Sequence, residues 1–209
     1  MSSKNNHTPL LYVIAFLSGF VLMGYEIFGS RVLTPHFGSS IHVWGALLAV
    51  FMAGLSLGYA CGGRFADKHS GYLPLAILLL IPAFILFVFP VYGKAFCLLA
   101  AKIEYDERVA ALVASSMLFF IPTAFIGAIS PYLIKMKTSS MENVGSGSGS
   151  IFAIGTIGSI AGTIFSAFYL VRHMESSKAI IMLGGILMIN AIICLILHRI
   201  QKSRLLTSN

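Results

Sequence analysis

Six long apolar stretches alternate with short polar stretches along the chain. Each apolar stretch can cross a bilayer as an α-helix, because about 20 residues at a rise of about 1.5 Å span a hydrocarbon core of about 30 Å. The pattern therefore predicts an all-α, multi-pass membrane protein in which residues 1–209 form a single transmembrane domain. We place the six helices at about residues 9–33, 41–63, 72–92, 109–135, 151–171 and 179–197.

Two of the predicted helices, the second and the fifth, carry glycines at helical spacing. Small residues let membrane helices approach each other closely, so each of these glycine faces is expected to pack against another helix. The six glycines are Gly54, Gly58 and Gly62 on the second helix and Gly155, Gly158 and Gly162 on the fifth.

The connection between the third and fourth helices is the only one long enough to hold structure of its own. Phe96, Leu99 and Ile103 would share one helical face there, while Lys94 and Lys102 stay polar. We therefore expect a short helix at residues 94–104 that lies in the membrane interface.

The other connections are predicted as turns. Pro35 disfavours helical backbone at the residue before it, which places a turn at residues 36–40. A polar hairpin is expected at residues 136–147, where a glycine-serine run begins that extends to residue 150. This run is not a phosphate-binding loop, since no strand precedes it and no Gly-Lys-Ser/Thr follows it.

Composition agrees with a membrane environment. Hydrophobic residues make up 57% of the chain and charged residues 10%, and the mean hydropathy is +0.90. These values are typical of polytopic membrane proteins rather than of soluble domains. The net charge of +7 is explained by basic residues that flank helices, so we expect the lipid bilayer as a partner and no nucleic acid.

The basic residues also indicate an orientation. Six helices place both termini on one side, together with the turns that follow the second and fourth helices. That side carries more lysine and arginine than the opposite side. The bias predicts an inner (plasma) membrane protein whose two termini lie in the cytoplasm.

A faint internal repeat relates the two halves of the chain. The second and fifth helices both carry a glycine face, and the first and fourth both end in a proline-marked polar segment with a basic residue, Arg31 or Lys135. Two triplets of helices would produce this pattern, as in one half of a major facilitator transporter. We therefore expect a fold that resembles such a half.

Glu26 is the leading candidate for a functional residue. An acidic residue in a membrane helix usually faces a cavity or a partner and often marks a substrate or proton path. A structural ion pair or an interfacial carboxylate is the alternative. For an ion pair, Arg31 lies five residues on and about 140° around an ideal helix. A direct pair between the two would need local unwinding, so each is expected to have its partner on another helix.

Three aromatic or imidazole side chains near the first outer turn are weaker candidates. His36 and His42 could titrate near neutral pH or bind a cation together with Glu26, but two histidines and one carboxylate without a fixed helical spacing are a weak metal signal. Ordinary interfacial histidines are the alternative. Trp44 could stack on a substrate or serve as an interfacial anchor. We include Glu26, Arg31, His36 and Trp44 in a predicted substrate or proton path and predict no metal site.

The polar turn at residues 63–71 resembles the cytoplasmic loop between the second and third helices of major facilitator transporters. The resemblance lies in Gly-Arg-x-Ala-Asp-Lys-x-x-Gly, and it implies a charged gating turn made by Arg64, Asp67 and Lys68. In those transporters the acid bonds to a neighbouring helix end. The basic residues that usually follow the last glycine are missing here.

No soluble-enzyme motif is present. The sequence has no dinucleotide fingerprint, no His-Glu-x-x-His and no Gly-x-Ser-x-Gly, and no nucleophile stands at a fixed spacing from a base. We accordingly predict no cofactor and no catalytic residue.

The motifs taken together resemble the membrane domain of spermidine-synthase-like membrane proteins, over about residues 24–67 and 127–172. In that family a transporter-like domain is commonly joined to a cytoplasmic aminopropyltransferase-like domain. The 209 residues contain only the membrane part, so we do not carry the enzymatic activity over to them. The matching positions are Glu26, residues 29–31, Pro35, residues 37–40, residues 43–45, residues 54–64, residues 66–67, residues 130–131 and residues 147–150.

These observations leave three interpretations. The first is a protein that transports a small cationic metabolite such as a polyamine, or presents it to a partner enzyme, with a homodimer enclosing a central path. The second is a non-transporting anchor or assembly subunit for a separate aminopropyltransferase-like chain. The third is a membrane enzyme, for which only Glu26 and the histidines argue.

Overall fold

The computed structural model describes residues 8–103, 106–138 and 144–207. Within these ranges the chain forms six long helices and no strand. The helices are α1 (Thr8–Phe37), α2 (Ile41–Lys68), α3 (Tyr72–Ile103), α4 (Glu107–Lys137), α5 (Val144–Phe165) and α6 (Ser176–Thr207).

All six helices are long and apolar enough to cross a membrane. The most apolar windows reach mean hydropathies of 1.8–2.8, and α5 does so together with the turns that follow it, up to His173. The prediction of an all-α, multi-pass protein with six membrane helices is therefore confirmed.

Several predicted helix ends are wrong, because the helices run further than the polar residues suggested. Pro35 lies inside the last turn of α1, which ends only where Gly38 adopts a positive φ of 75°. The amide of Gly38 donates to the carbonyl of Thr34 at 2.9 Å, which closes the helix. Similarly, α2 continues to Lys68, so most of the expected turn at residues 63–71 is helical.

The prediction of a separate interfacial helix at residues 94–104 is also wrong. α3 continues through Pro82 and Pro90 to Ile103 as one helix, and residue 104 lies outside the described residues. The face of its last turns that packs inward consists of Gly93, Cys97 and Ala100 rather than the larger apolar residues.

The glycine-serine run is helical rather than part of a hairpin. α5 begins at Val144, seven residues before its predicted start, and residues 139–143 of the hairpin lie outside the described residues. At its other end α5 widens into a π-helical turn, Ser166–Leu170, and a last helical turn, Val171–His173.

Both predicted glycine faces pack against another helix. On α2, a Cβ atom placed at Gly58 would lie 2.2 Å from the carbonyl oxygen of Ala124, and one at Gly62 would lie 2.5 Å from the Cα of Ala128. Gly54 meets Phe120 one turn further along. These contacts form the α2–α4 seam, in which two backbones touch with no side chain between them.

The second seam joins α5 to α1. A Cβ atom at Gly158 would lie 2.0 Å from the carbonyl oxygen of Phe16, and one at Gly162 would lie 2.3 Å from that of Phe20. Gly155 is looser, since its Cβ would meet only the carbonyl of Ala15 at 3.7 Å.

The two seams correspond when the first three helices are exchanged with the last three. α2 packs on α4 as α5 packs on α1, while α3 and α6 pack on each other. The correspondence extends to a glycine on the facing helix of each seam. Gly19 of α1 faces Gly155, and Gly127 of α4 faces Leu55. This arrangement supports two triplets of opposite polarity, because three chain reversals separate α1 from α4.

An aromatic cluster fills the space between the first four helices. The ring of Tyr25 lies 5.2 Å from that of Phe119 and 5.7 Å from that of Phe51, and Phe89 completes the group. The Tyr25 hydroxyl donates to the carbonyl of Leu118 at 3.1 Å, so its one polar atom is paired inside the core.

The α1–α5 seam predicts different responses to the same small substitution at two of its glycines. Gly158→Ala places a methyl group against the Phe16 carbonyl and should lower the melting temperature in detergent by about 3–10 °C. Gly155→Ala adds the same methyl at ordinary contact distance and should leave it within about 2 °C. Thermal unfolding of the two purified variants checks this, and equal melting temperatures would contradict the α1–α5 seam.

Candidate functional site

Glu26 is buried inside the helix bundle, on α1. Its side chain is only 9% exposed, and among the described residues no hydrogen bond or ion pair reaches its carboxylate. A carboxylate buried at this depth is costly unless something neutralises or solvates it. It is therefore unlike most of the other charged residues that the structure describes, which lie closer to helix ends.

The neighbours of Glu26 on α1 show which way it faces. Gly24 packs on Ser166 and Leu183, and Tyr25 reaches α4. Glu26 shares the remaining stripe of α1 with Leu22 and Ser18, because residues four apart lie on one helical face.

A cavity of about 80 Å³ lies along this stripe, where α1, α2, α4 and α5 meet. Ser18 and Leu22 line it, so Glu26 stands one turn beyond its edge. Five hydroxyl side chains contribute to the wall, and the seam glycines allow the backbones to approach it closely. The hydroxyls belong to Ser18, Tyr59, Ser130, Thr156 and Ser159.

Arg31 has a partner on another helix, as expected, and the partner is backbone. Its guanidinium donates to the carbonyl of Val171 at 2.5 Å and to that of Met174 at 3.0 Å. These carbonyls end the α5 segment, where a cation is also favoured by the helix dipole. Arg31 thus caps α5 and lies apart from Glu26.

The remaining members of the predicted path lie at the same end of the bundle as Arg31. His36 is half-buried in the last turn of α1, and Trp44 is 37% exposed in the first turn of α2. His42 lines a second cavity, of about 640 Å³, with Asp106 and Arg108 among its other polar residues. The structure therefore does not bring these side chains together with Glu26.

Among the described residues, the predicted gating turn makes one ion pair between helix ends. The carboxylate of Asp67 lies 2.8 Å from the ammonium of Lys135 at the end of α4. Tyr132 adds a second link, since its hydroxyl donates to the carbonyl of Gly71 at 2.9 Å. Arg64 and Lys68 are exposed. The acid of this turn thus does bond to a neighbouring helix.

Lys137 makes a further link at this end that the sequence did not indicate. Its ammonium donates to the hydroxyls of Tyr12, at 2.6 Å, and of Ser150, and it also lies 4.6 Å from the centre of the Tyr12 ring. The end of α4 is therefore tied to α1 and α5 by Lys137 and to α2 by Lys135.

The hydroxyl residues of the first cavity were missed by the sequence analysis. They stand on four helices, and serine or threonine inside a membrane helix is common enough to carry no signal alone. The stripe from Ser18 to Glu26 was visible in the sequence, since both are polar and two helical turns apart.

The fold and the site define a multi-pass α-helical membrane protein with a buried carboxylate beside a hydroxyl-lined cavity. No family model, no curated protein and no solved structure matches the chain.

The cap made by Arg31 predicts a local effect of its removal. Arg31→Met should increase amide exchange in residues 171–174 about tenfold, because two carbonyls at the end of the helix lose a charged donor. Lys94→Met removes an exposed cation that makes no contact with α5 and serves as the control. Hydrogen-exchange mass spectrometry checks both, and unchanged exchange in Arg31→Met would show that the cap does not hold this turn.

Proposed function

We propose that this protein transports a small cationic metabolite such as a polyamine, or presents it to a partner enzyme. The observation that carries the proposal is Glu26, a buried carboxylate with no cationic partner among the described residues. An organic cation bound beside it would supply the missing positive charge, and this is a common use of an acidic residue in a membrane bundle.

The contacts of three basic side chains support this choice. Arg31 is engaged with α5 and Lys135 with Asp67, while Lys137 holds Tyr12 and Ser150. These side chains stabilise helix ends, so the carboxylate remains available to a cation from outside the chain.

The predicted resemblance to half of a major facilitator transporter, together with the exchange of the two seams between the helix triplets, is in keeping with a transport function. A six-helix chain of two triplets has half the usual number of helices, so we propose a homodimer that encloses a central path. We also propose that the protein lies in the inner (plasma) membrane with both termini in the cytoplasm. An aminopropyltransferase-like chain is the proposed partner if the metabolite is presented rather than released.

Uptake into vesicles tests the role of Glu26. Purified protein in liposomes should accumulate labelled spermidine or putrescine under a proton or voltage gradient, and Glu26→Gln should reduce the initial rate at least about tenfold through loss of the charge. Glu175→Gln, which neutralises an exposed acid at the turn before α6, is the matched control.

Two outcomes would overturn parts of this proposal. Wild-type protein that takes up no polyamine but co-purifies with an aminopropyltransferase-like chain would identify an anchor or assembly subunit. Uptake at the wild-type rate by Glu26→Gln, with an unchanged melting temperature, would remove Glu26 from the path.

Reporter fusions test the orientation. A fluorescent protein joined after residue 209 should fold and emit in the cytoplasm, whereas alkaline phosphatase joined there should be inactive. Alkaline phosphatase joined after Arg108, with the later helices removed, should be active. The reverse pattern of activities would place the termini on the opposite side of the membrane.

A further inference from the structure

We propose that the hydroxyl-lined cavity between α1, α2, α4 and α5 binds the primary ammonium group at the end of the transported or presented metabolite. This inference rests on the proposed function, because it assigns a second contact region to the same ligand. Glu26, one turn away along α1, would then neutralise a charge on the same molecule.

The first argument is an unpaired polar group inside the cavity. Ser18 is 5% exposed, and its hydroxyl has no hydrogen-bond partner among the described residues. A buried hydroxyl without a partner is unfavourable, and most such groups in proteins are paired. Ser18 lines the cavity, so a rotation of its side chain would let a molecule bound there satisfy the hydroxyl.

The second argument concerns which kind of hydrogen-bonding group is missing. Ser159 donates its proton to the carbonyl of Gly19 at 3.3 Å, and Thr156 donates to that of Phe152 at 2.8 Å. Both hydroxyls therefore offer lone pairs but no proton to the cavity. The hydroxyls of Ser18, Tyr59 and Ser130 can accept as well as donate, so all five can act as acceptors towards one ligand. A primary ammonium, with three donors and no acceptor, can use this set of acceptors.

The third argument is size and access. The volume of about 80 Å³ corresponds to a few water molecules, at about 30 Å³ each, so it can hold the end of an alkylamine but not a whole polyamine. Tyr59 and Thr156 are exposed in the cavity wall, whereas Ser18 is buried. The ligand would therefore enter between α2 and α5, with its remaining length outside the cavity or along the stripe towards Glu26.

Equilibrium binding tests this inference apart from transport. Labelled 1,4-diaminobutane should bind to the purified protein in detergent and be displaced by butylamine, which keeps one ammonium, but not by butane-1,4-diol. Ser18→Ala should raise the Kd for diaminobutane about tenfold, the expected effect of losing a hydrogen bond to a charged group.

Ser115→Ala is the matched control, because Ser115 is also a fully buried hydroxyl without a partner among the described residues and it does not line the cavity. Both variants remove a buried unpaired hydroxyl, so both should fold. Equal affinities for Ser18→Ala and Ser115→Ala, or displacement by the diol, would overturn the inference, as would wild-type protein that binds no diaminobutane.

The two proposals can fail separately. Normal uptake by Ser18→Ala with unchanged affinity would leave the proposed function standing and remove the subsite. If the wild-type protein binds diaminobutane but transports nothing, and Ser18→Ala loses that binding, the subsite stands and transport is removed.

A lipid could also supply a primary ammonium. The lipid composition of the vesicles distinguishes this source from a soluble metabolite. Binding to protein in phosphatidylcholine vesicles should be unchanged when phosphatidylethanolamine is added. If the added lipid abolishes diaminobutane binding to the wild type, the cavity belongs to the lipid headgroup and the assignment to a soluble metabolite is overturned.

Discussion

The contact of backbone with backbone at the two glycine seams constrains every other part of this bundle. In a membrane, helices gain little from the hydrophobic effect when they associate, so close packing and interhelical hydrogen bonds must hold them together. At Gly58 and Gly158 even a methyl group would overlap a carbonyl of the facing helix. The bundle is accordingly built as two tightly joined pairs, α2 with α4 and α1 with α5, and the hydroxyl-lined cavity lies where these pairs meet.

Polar groups are divided between the ends and the interior of the bundle in a way that isolates Glu26. At one end Lys135 and Lys137 tie α4 to its neighbours, and at the other Arg31 closes α5. These contacts lie near water, where pairing costs little in desolvation. Glu26 has no such arrangement, and the aromatic ring of Tyr25 beside it belongs to an apolar cluster. A carboxylate without a partner there costs stability, which is why we propose a cation as its ligand.

The features of the fold that could be predicted from sequence are those whose pattern lies within a single helix. Apolar length gave the six helices, and the regular spacing at Gly54, Gly58 and Gly62 indicated a packed face without naming its partner. The ends were less predictable, because in a membrane the backbone satisfies its own hydrogen bonds, so helices continue through residues such as Pro35 that would stop them in water.

The same distinction applies to the candidate site, where a residue with a local pattern was predictable and a cavity built from several helices was not. Glu26 was recognisable because a single carboxylate in an apolar helix is unusual, whereas the cavity depends on hydroxyls from four helices and appears only once these are assembled. The partner of Arg31 could not be predicted from residue spacing along the helix. The distance of Arg31 along the helix excluded a simple pair with Glu26, but no local pattern pointed to the carbonyls of Val171 and Met174.

The π-helical turn at Ser166–Leu170 has a consequence for how this segment tolerates changes in length. The amide of Val171 reaches back five residues, to the carbonyl of Ser166, so the turn accommodates one residue more than an α-helix would. Deleting a single residue there would restore a regular helix and leave the segment after it close to its present orientation. The same deletion in the α-helical part of α5 would rotate that segment by about 100° and turn the terminal carbonyls away from the Arg31 guanidinium. The π-turn is thus the one place in this segment where the loss of a residue would spare the cap at the membrane surface.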